Sequence, residues 1–125
     1  MEENNLIRDA QPYFDLGSLL LRKNRTSQAL QYLQQAAAID PSNAAIYEEL
    51  GSAEEQLNQL AAAQKDMEKA VELVPDVSSL HFQLGRIYQK EHMTAEAKAQ
   101  FAMCAKEAGA HSSKGDDTLN SLRPR

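Results

Sequence analysis

The sequence predicts an all-α protein made of one helical hairpin repeated three times, and three observations predict it. Leu16-Gly17, Leu50-Gly51 and Leu84-Gly85 recur at intervals of 34 residues with no insertion. Within each interval the apolar residues follow the three-and-four spacing of a helix face, as in Tyr13, Leu16, Leu20 and then Leu30, Leu33, Ala36, Ala37. Pro41 and Pro75 stand where the second helix of a unit must end. A fixed period of this length is the signature of stacked units that bury a core between neighbours.

Each unit reads as two helices, near 10–23 and 26–39, 44–57 and 60–74, and 78–91 and 94–108. The breaks inside the units fall at Lys23-Asn24-Arg25, Asn58-Gln59 and His92-Met93. Thr26 and Thr94 are placed to cap the helices that follow, because a hydroxyl oxygen can accept from the unpaired amides of a first turn. Between units, Asp40-Pro41-Ser42-Asn43 and Val74-Pro75-Asp76-Val77-Ser78 stop one helix and start the next. Proline lacks the amide hydrogen and bars the preceding residue from helical geometry. Asn43 and Ser78 are the caps expected there.

Gly17, Gly51 and Gly85 fall inside helices, where glycine costs roughly 0.5–1 kcal/mol relative to alanine. Paying this three times at one register implies a steric cause. Close approach of the two helices of a unit supplies it, with Ala29, Ala63 and Ala97 opposite the glycines. Leu33, Met67 and Phe101 are then expected to fill space toward the neighbouring unit.

The chain has 125 residues, no Trp, one Cys and a formal net charge of −5. That suits one domain with a core of small and medium side chains. The negative field argues against general affinity for nucleic acid or anionic membranes. Cys104 has no partner for an intrachain disulfide, so a reducing, cytoplasmic setting is the default. The first residues, MEENNLIRDAQ, lack the apolar stretch of a secretory signal, and no run is long enough to span a bilayer.

These positions resemble the tetratricopeptide repeat, in three tandem copies at 10–43, 44–77 and 78–111. A lead-in covers 1–9 and a polar tail, expected to be disordered, covers 112–125. The first copy supplies Tyr13, Leu16, Gly17, Leu20, Ala29, Leu33, Ala36 and Pro41. In the second, Glu54 stands where a large apolar residue is usual, and such a carboxylate must stay solvated or find a partner. In the third, His81 replaces the aromatic residue and Gly109 the proline.

The resemblance implies an α-solenoid of three stacked antiparallel hairpins in a right-handed superhelix, whose first helices line a concave groove. It implies an adaptor that binds a peptide segment of a partner protein. On the groove face the expected residues are Gln11, Phe14, Ser18 and Leu21, then Ala45, Glu48, Ser52 and Glu55, then Ser79, Phe82, Arg86 and Gln89. Of these, Phe14, Ser18, Leu21, Glu48, Ser52, Glu55, Phe82, Arg86 and Gln89 form the candidate site. Phe14 and Phe82 share a register and flank an acidic middle, which suits a peptide with apolar and basic side chains; burial of both rings between repeats is the competing reading. Relatives that grip the Glu-Glu-Val-Asp tails of heat-shock chaperones use Lys, Asn and Arg donors. Here the corresponding places hold Phe14, Ser18, Glu49, Ser79 and Gln83, so that clamp is absent.

No nucleophile, phosphate loop or paired-carboxylate arrangement stands out, and no cofactor is expected. His81, His92 and His111 do not share a ligand spacing, and Cys104 sits at a small-residue position that favours packing. A second reading makes the chain the terminal structural part of a larger multi-repeat protein, or a domain that self-associates through its last helix. The Met1 start favours a stand-alone adaptor. The polar tail favours the second reading, since it is a poor cover for Phe101, Ala102 and Met103.

Overall fold

The structure, a computed structural model, describes residues 9–122, with side chains described as far as Gly109. Six helices follow one another among the described residues: α1 (Gln11–Arg22), α2 (Thr26–Ile39), α3 (Ala44–Gln56), α4 (Leu60–Leu73), α5 (Ser78–Lys90) and α6 (Thr94–Leu122). There is no strand among the described residues. All but one of the helix ends lie within a residue of those expected. The exception is α6, whose backbone stays helical through Leu122, where a disordered tail from 112 was expected. No proline interrupts the chain between Thr94 and Pro124, and Gly109 and Gly115 weaken a helix without stopping it. The lead-in residues 1–8 and the tail residues 123–125 lie outside the described residues.

The chain divides into two compact units, Met1–Pro75 and Asp76–Arg125. In the first, α1 packs on α2 and α3 on α4 as hairpins, and α2 packs on α3 to join them. Leu21, Ala29, Leu33, Ala36, Ile46, Leu50 and Ala53 make one buried cluster across that seam. Burying a leucine of this kind stabilises the fold by about 1.5–3 kcal/mol. Ala63, Met67 and Ala70 of α4 are buried as well. In the second unit α5 packs on α6, with Leu80, Leu84, Ile87, Tyr88 and Ala97 buried.

The glycines do what their register implies, but their closest neighbours differ from those expected. A Cβ on Gly17 would lie 2.7 Å from Leu33 Cγ and 3.3 Å from the Ala29 carbonyl oxygen. On Gly51 it would meet Met67 Cε at 2.8 Å, and on Gly85 the Phe101 ring at 2.7 Å. Leu33, Met67 and Phe101 thus press onto the glycines of their own hairpins. The room left by the missing side chain is filled by the large residue of the same repeat, and Leu33 also fills space toward the next repeat, buried with Ile46, Leu50 and Ala53. Both the small residue and the large one are needed for the helices to meet.

The turns within the hairpins obey one rule. Asn24, Asn58 and His92, again 34 residues apart, have φ of 61°, 58° and 62°, the left-handed region. The Arg25 amide donates to the Leu20 carbonyl at 2.9 Å and the Asn24 amide to that of Leu21 at 3.1 Å. Gln59 to Glu54 with Asn58 to Glu55, and Met93 to Tyr88 with His92 to Gln89, repeat the pattern. These paired bonds satisfy carbonyls that a helix end would otherwise leave open.

Of the expected caps, Asn43 is found, its side chain accepting from the Ala45 amide at 3.0 Å. Ser78 is instead the first residue of α5, behind Val77, and no side chain caps that helix. Thr26 likewise does not cap α2; its hydroxyl donates to Gln56 Oε1 at the end of α3, 2.9 Å away. Thr94 is the first residue of α6. Between the first two hairpins the Tyr47 phenol donates to the Pro41 carbonyl at 3.0 Å, pinning the turn to α3.

Candidate functional site

The first helices carry side chains of two kinds. Of those that recur from repeat to repeat, Gly17, Gly51, Gly85, Leu50 and Leu84 are buried, while Leu16 is exposed. Those that differ mostly keep contact with solvent. On α3, Glu48, Ser52 and Glu55 follow i, i+4, i+7 and are half-buried along one stripe. On α5, Phe82, Arg86 and Gln89 follow the same rule and are exposed.

On α1 the expected stripe breaks. Leu21 is 9% exposed and belongs to the core cluster of the first unit, so it is a packing residue and not a lining one. Its apolar side chain reaches the seam that α2 and α3 share. Phe14 is half-buried and packs against the same cluster. Its ring lines an open cleft of about 280 Å³ with Ile39, Asp40, Asn43 and Ile46. Phe82, at the equivalent register, is 42% exposed and stands against Phe101 of its own hairpin, ring centroids 5.8 Å apart and tilted by 49°. The two rings share a position in the repeat and differ in surroundings.

Within the first unit, α1 and α3 bring together Ser18, Arg22, Glu48 and Glu49. Burial, then repulsion from Glu48, raises the pKa of Glu49, while Ser18 and Arg22 pull it down. The Ser18 hydroxyl is buried and faces Glu49 without a bond of ordinary geometry. Arg22 and Glu49 were not among the groove candidates. Their signal was available in the spacing, since Arg22 lies four residues after Ser18 and Glu49 next to Glu48.

Glu54 finds a partner instead of water. It is 5% exposed, and its Oε1 makes no hydrogen bond. Its carboxyl shares a hydrogen bond with Asp66 of α4. Burial first, then that bond and the charge of Asp66, push its pKa up to about 9. At neutral pH it therefore holds its proton, and its O–H donates the hydrogen bond to Asp66. Glu54 works as a hairpin-packing residue.

The third repeat resolves two further positions. His81 is buried, with Nδ1 2.7 Å from Gln100 Oε1 of α6, so it fills the aromatic place and binds its own hairpin. Cys104 is a free, half-buried thiol. Among the described residues no three His, Cys, Asp or Glu side chains converge as a metal site. No helix among them is long and apolar enough to cross a membrane.

The tetratricopeptide repeat family model matches residues 14–78. No curated protein sequence matches the chain. Among solved structures it is similar to a crystal structure of MamA, at 21% identity and a TM-score of 0.81, over 86% of this chain and 63% of that one. It is similar to the second TPR of Spaghetti (RPAP3), bound to the HSP90 peptide SRMEEVD, at 20% identity and a TM-score of 0.75, over 84% and 97% of the two chains. A third likeness is to Pseudomonas aeruginosa PilF, at 24% identity and a TM-score of 0.72, over 80% and 46%. At such identities the likeness is one of fold. The chain spans about three fifths of the length of that MamA chain.

Proposed function

Because the chain belongs to the tetratricopeptide repeat family, whose domains are protein-interaction modules and generally not enzymes, we propose that it holds a peptide segment of another protein on the faces of its first helices. One observation carries this reading. The stripes Glu48, Ser52, Glu55 and Phe82, Arg86, Gln89 differ between repeats yet keep contact with solvent, while the repeated residues of the same helices are buried. Side chains that reach solvent and vary between repeats are placed to recognise a partner.

The chemistry of those faces selects the ligand class. Glu48, Glu49 and Glu55 on α3 favour a basic side chain, and the exposed Phe82 ring offers an aromatic surface for an apolar one or for a guanidinium. The HSP90 peptide held by the Spaghetti neighbour is of the opposite charge. Of the five positions where a carboxylate clamp would stand, Phe14, Ser18, Glu49, Ser79 and Gln83, none is cationic. This chain is accordingly assigned basic and apolar segments and not acidic tails.

Peptides selected from a random display library on the intact chain test this reading. They are expected to carry a basic residue where they meet α3, and to lose about tenfold in affinity on the double substitution Glu48→Lys, Glu55→Lys, measured by fluorescence anisotropy. Phe82→Ala should weaken them as well. Failure to enrich any peptide, or equal affinity for the charge-reversed chain, overturns the proposal.

A further inference from the structure

The seam between the first two hairpins is a template. On α3, Ile46, Leu50 and Ala53 follow i, i+4, i+7 and are buried in one cluster with Leu33 and Ala36 of α2, against which Ala37 also packs. At the same register α5 carries Leu80, Leu84 and Ile87, again buried. On α1 the register holds Pro12, Leu16 and Leu19, and all three are exposed, the leucines by 38% and 41%. The stripe that each later first helix buries is thus open to solvent on the first one.

The complementary face is open at the other end of the chain. Ala36 and Ala37 of α2 correspond, two repeats later, to Cys104 and Ala105 of α6. Ala36 is buried and Ala37 half-buried, but Cys104 is half-buried and Ala105 exposed. Beside them Met103 is 39% exposed. The surface that fits a Leu16–Leu19 stripe in this protein is the outer face of a second helix, and α6 is a second helix with that face uncovered.

We propose that these two faces meet between copies, the α6 face of one chain docking on the α1 stripe of the next, as α2 docks on α3 within the first unit. The interface is head to tail, so a pair of chains still presents one face of each kind and assembly continues beyond two copies, its extent growing with concentration. It uses residues apart from the candidate peptide stripes, and stands or falls independently of them.

Sedimentation velocity on the intact chain from micromolar to millimolar concentration tests this. The weight-average mass should rise past that of a dimer. Leu19→Glu and Ala105→Glu, both at exposed positions, should each leave a monomer, with circular dichroism confirming the helices; Leu19→Lys and Met103→Glu serve as second variants. Mixed in equal amounts, the two blocked chains still possess one intact face each and should form a one-to-one complex that grows no further. A wild-type monomer throughout overturns the proposal; if its stability then falls on Leu19→Glu, the stripe is covered by another segment of the same chain. An Ala105→Glu chain that still dimerises like wild type also overturns it, since that requires two α1 faces to meet.

Discussion

A methyl group on Gly85 would sit 2.7 Å from Cε1 of Phe101, inside the distance at which two carbon atoms can rest. The same construction on Gly17 meets the branch point of Leu33, and on Gly51 the terminal methyl of Met67. Three glycines of one register therefore press on side chains of unequal stiffness. Phe101 and Leu33 Cγ cannot yield without moving a ring or a chain, whereas Met67 can swing its end group aside.

Alanine scanning of the glycines should divide accordingly. Gly17→Ala and Gly85→Ala are expected to destabilise by about 1–3 kcal/mol through overpacking, after an offset of about 1 kcal/mol from better helix propensity. Gly51→Ala should come out near neutral. Urea denaturation of the three variants measures the order, and equal losses at all three would contradict the contact geometry.

The Glu54–Asp66 pair makes stability depend on pH. An acid whose pKa rises from 4.5 to about 9 on folding gives the native state its full benefit below 4.5 and loses it as pH climbs toward 9. Glu54→Gln should remove this slope, leaving the chain more stable than wild type at pH 8 and little changed at pH 5. Thermal melts across that range check the sign; a wild type that gains stability between pH 5 and 9 while the variant stays flat contradicts it.

The left-handed residues of the hairpin turns give a third expectation. A histidine at φ 62° carries a backbone cost that glycine avoids. His92→Gly should stabilise by about 1 kcal/mol, and Asn58→Ala should destabilise by a similar amount, because asparagine tolerates this conformation better than alanine does. Chemical denaturation reads both changes.

Helix starts supply a fourth. Asn43→Ala removes an acceptor that holds the Ala45 amide and should cost about 1 kcal/mol. Ser78→Ala removes no cap and should change stability by less than about 0.5 kcal/mol. The measurement is the contrast between a capping residue and a serine that stands one place past the equivalent position, which Val77 holds.

Much of this architecture was legible because the period repeats backbone requirements. The glycines, the prolines and the break positions each reflect a local constraint, so five helices and the start of the sixth lie where spacing put them. Side-chain roles were less legible. Thr26 has a capping residue's chemistry but lies one position inside its helix, where its hydroxyl finds Gln56 instead. Leu21 satisfies the arithmetic of an outward stripe, yet its apolar side chain is drawn into the seam of α2 and α3. Glu54 reads as a defect until Asp66, twelve residues on, is seen to share its hydrogen bond. Such pairings depend on distances between helices, and periodicity does not carry them.

The bond from Thr26 to Gln56 joins the end of the first hairpin turn to the start of the next across 30 residues, less than one period. A contact that closes so short a loop forfeits little chain entropy and can form before the rest of the protein exists. During synthesis, the first seam can therefore assemble soon after α3 leaves the ribosome.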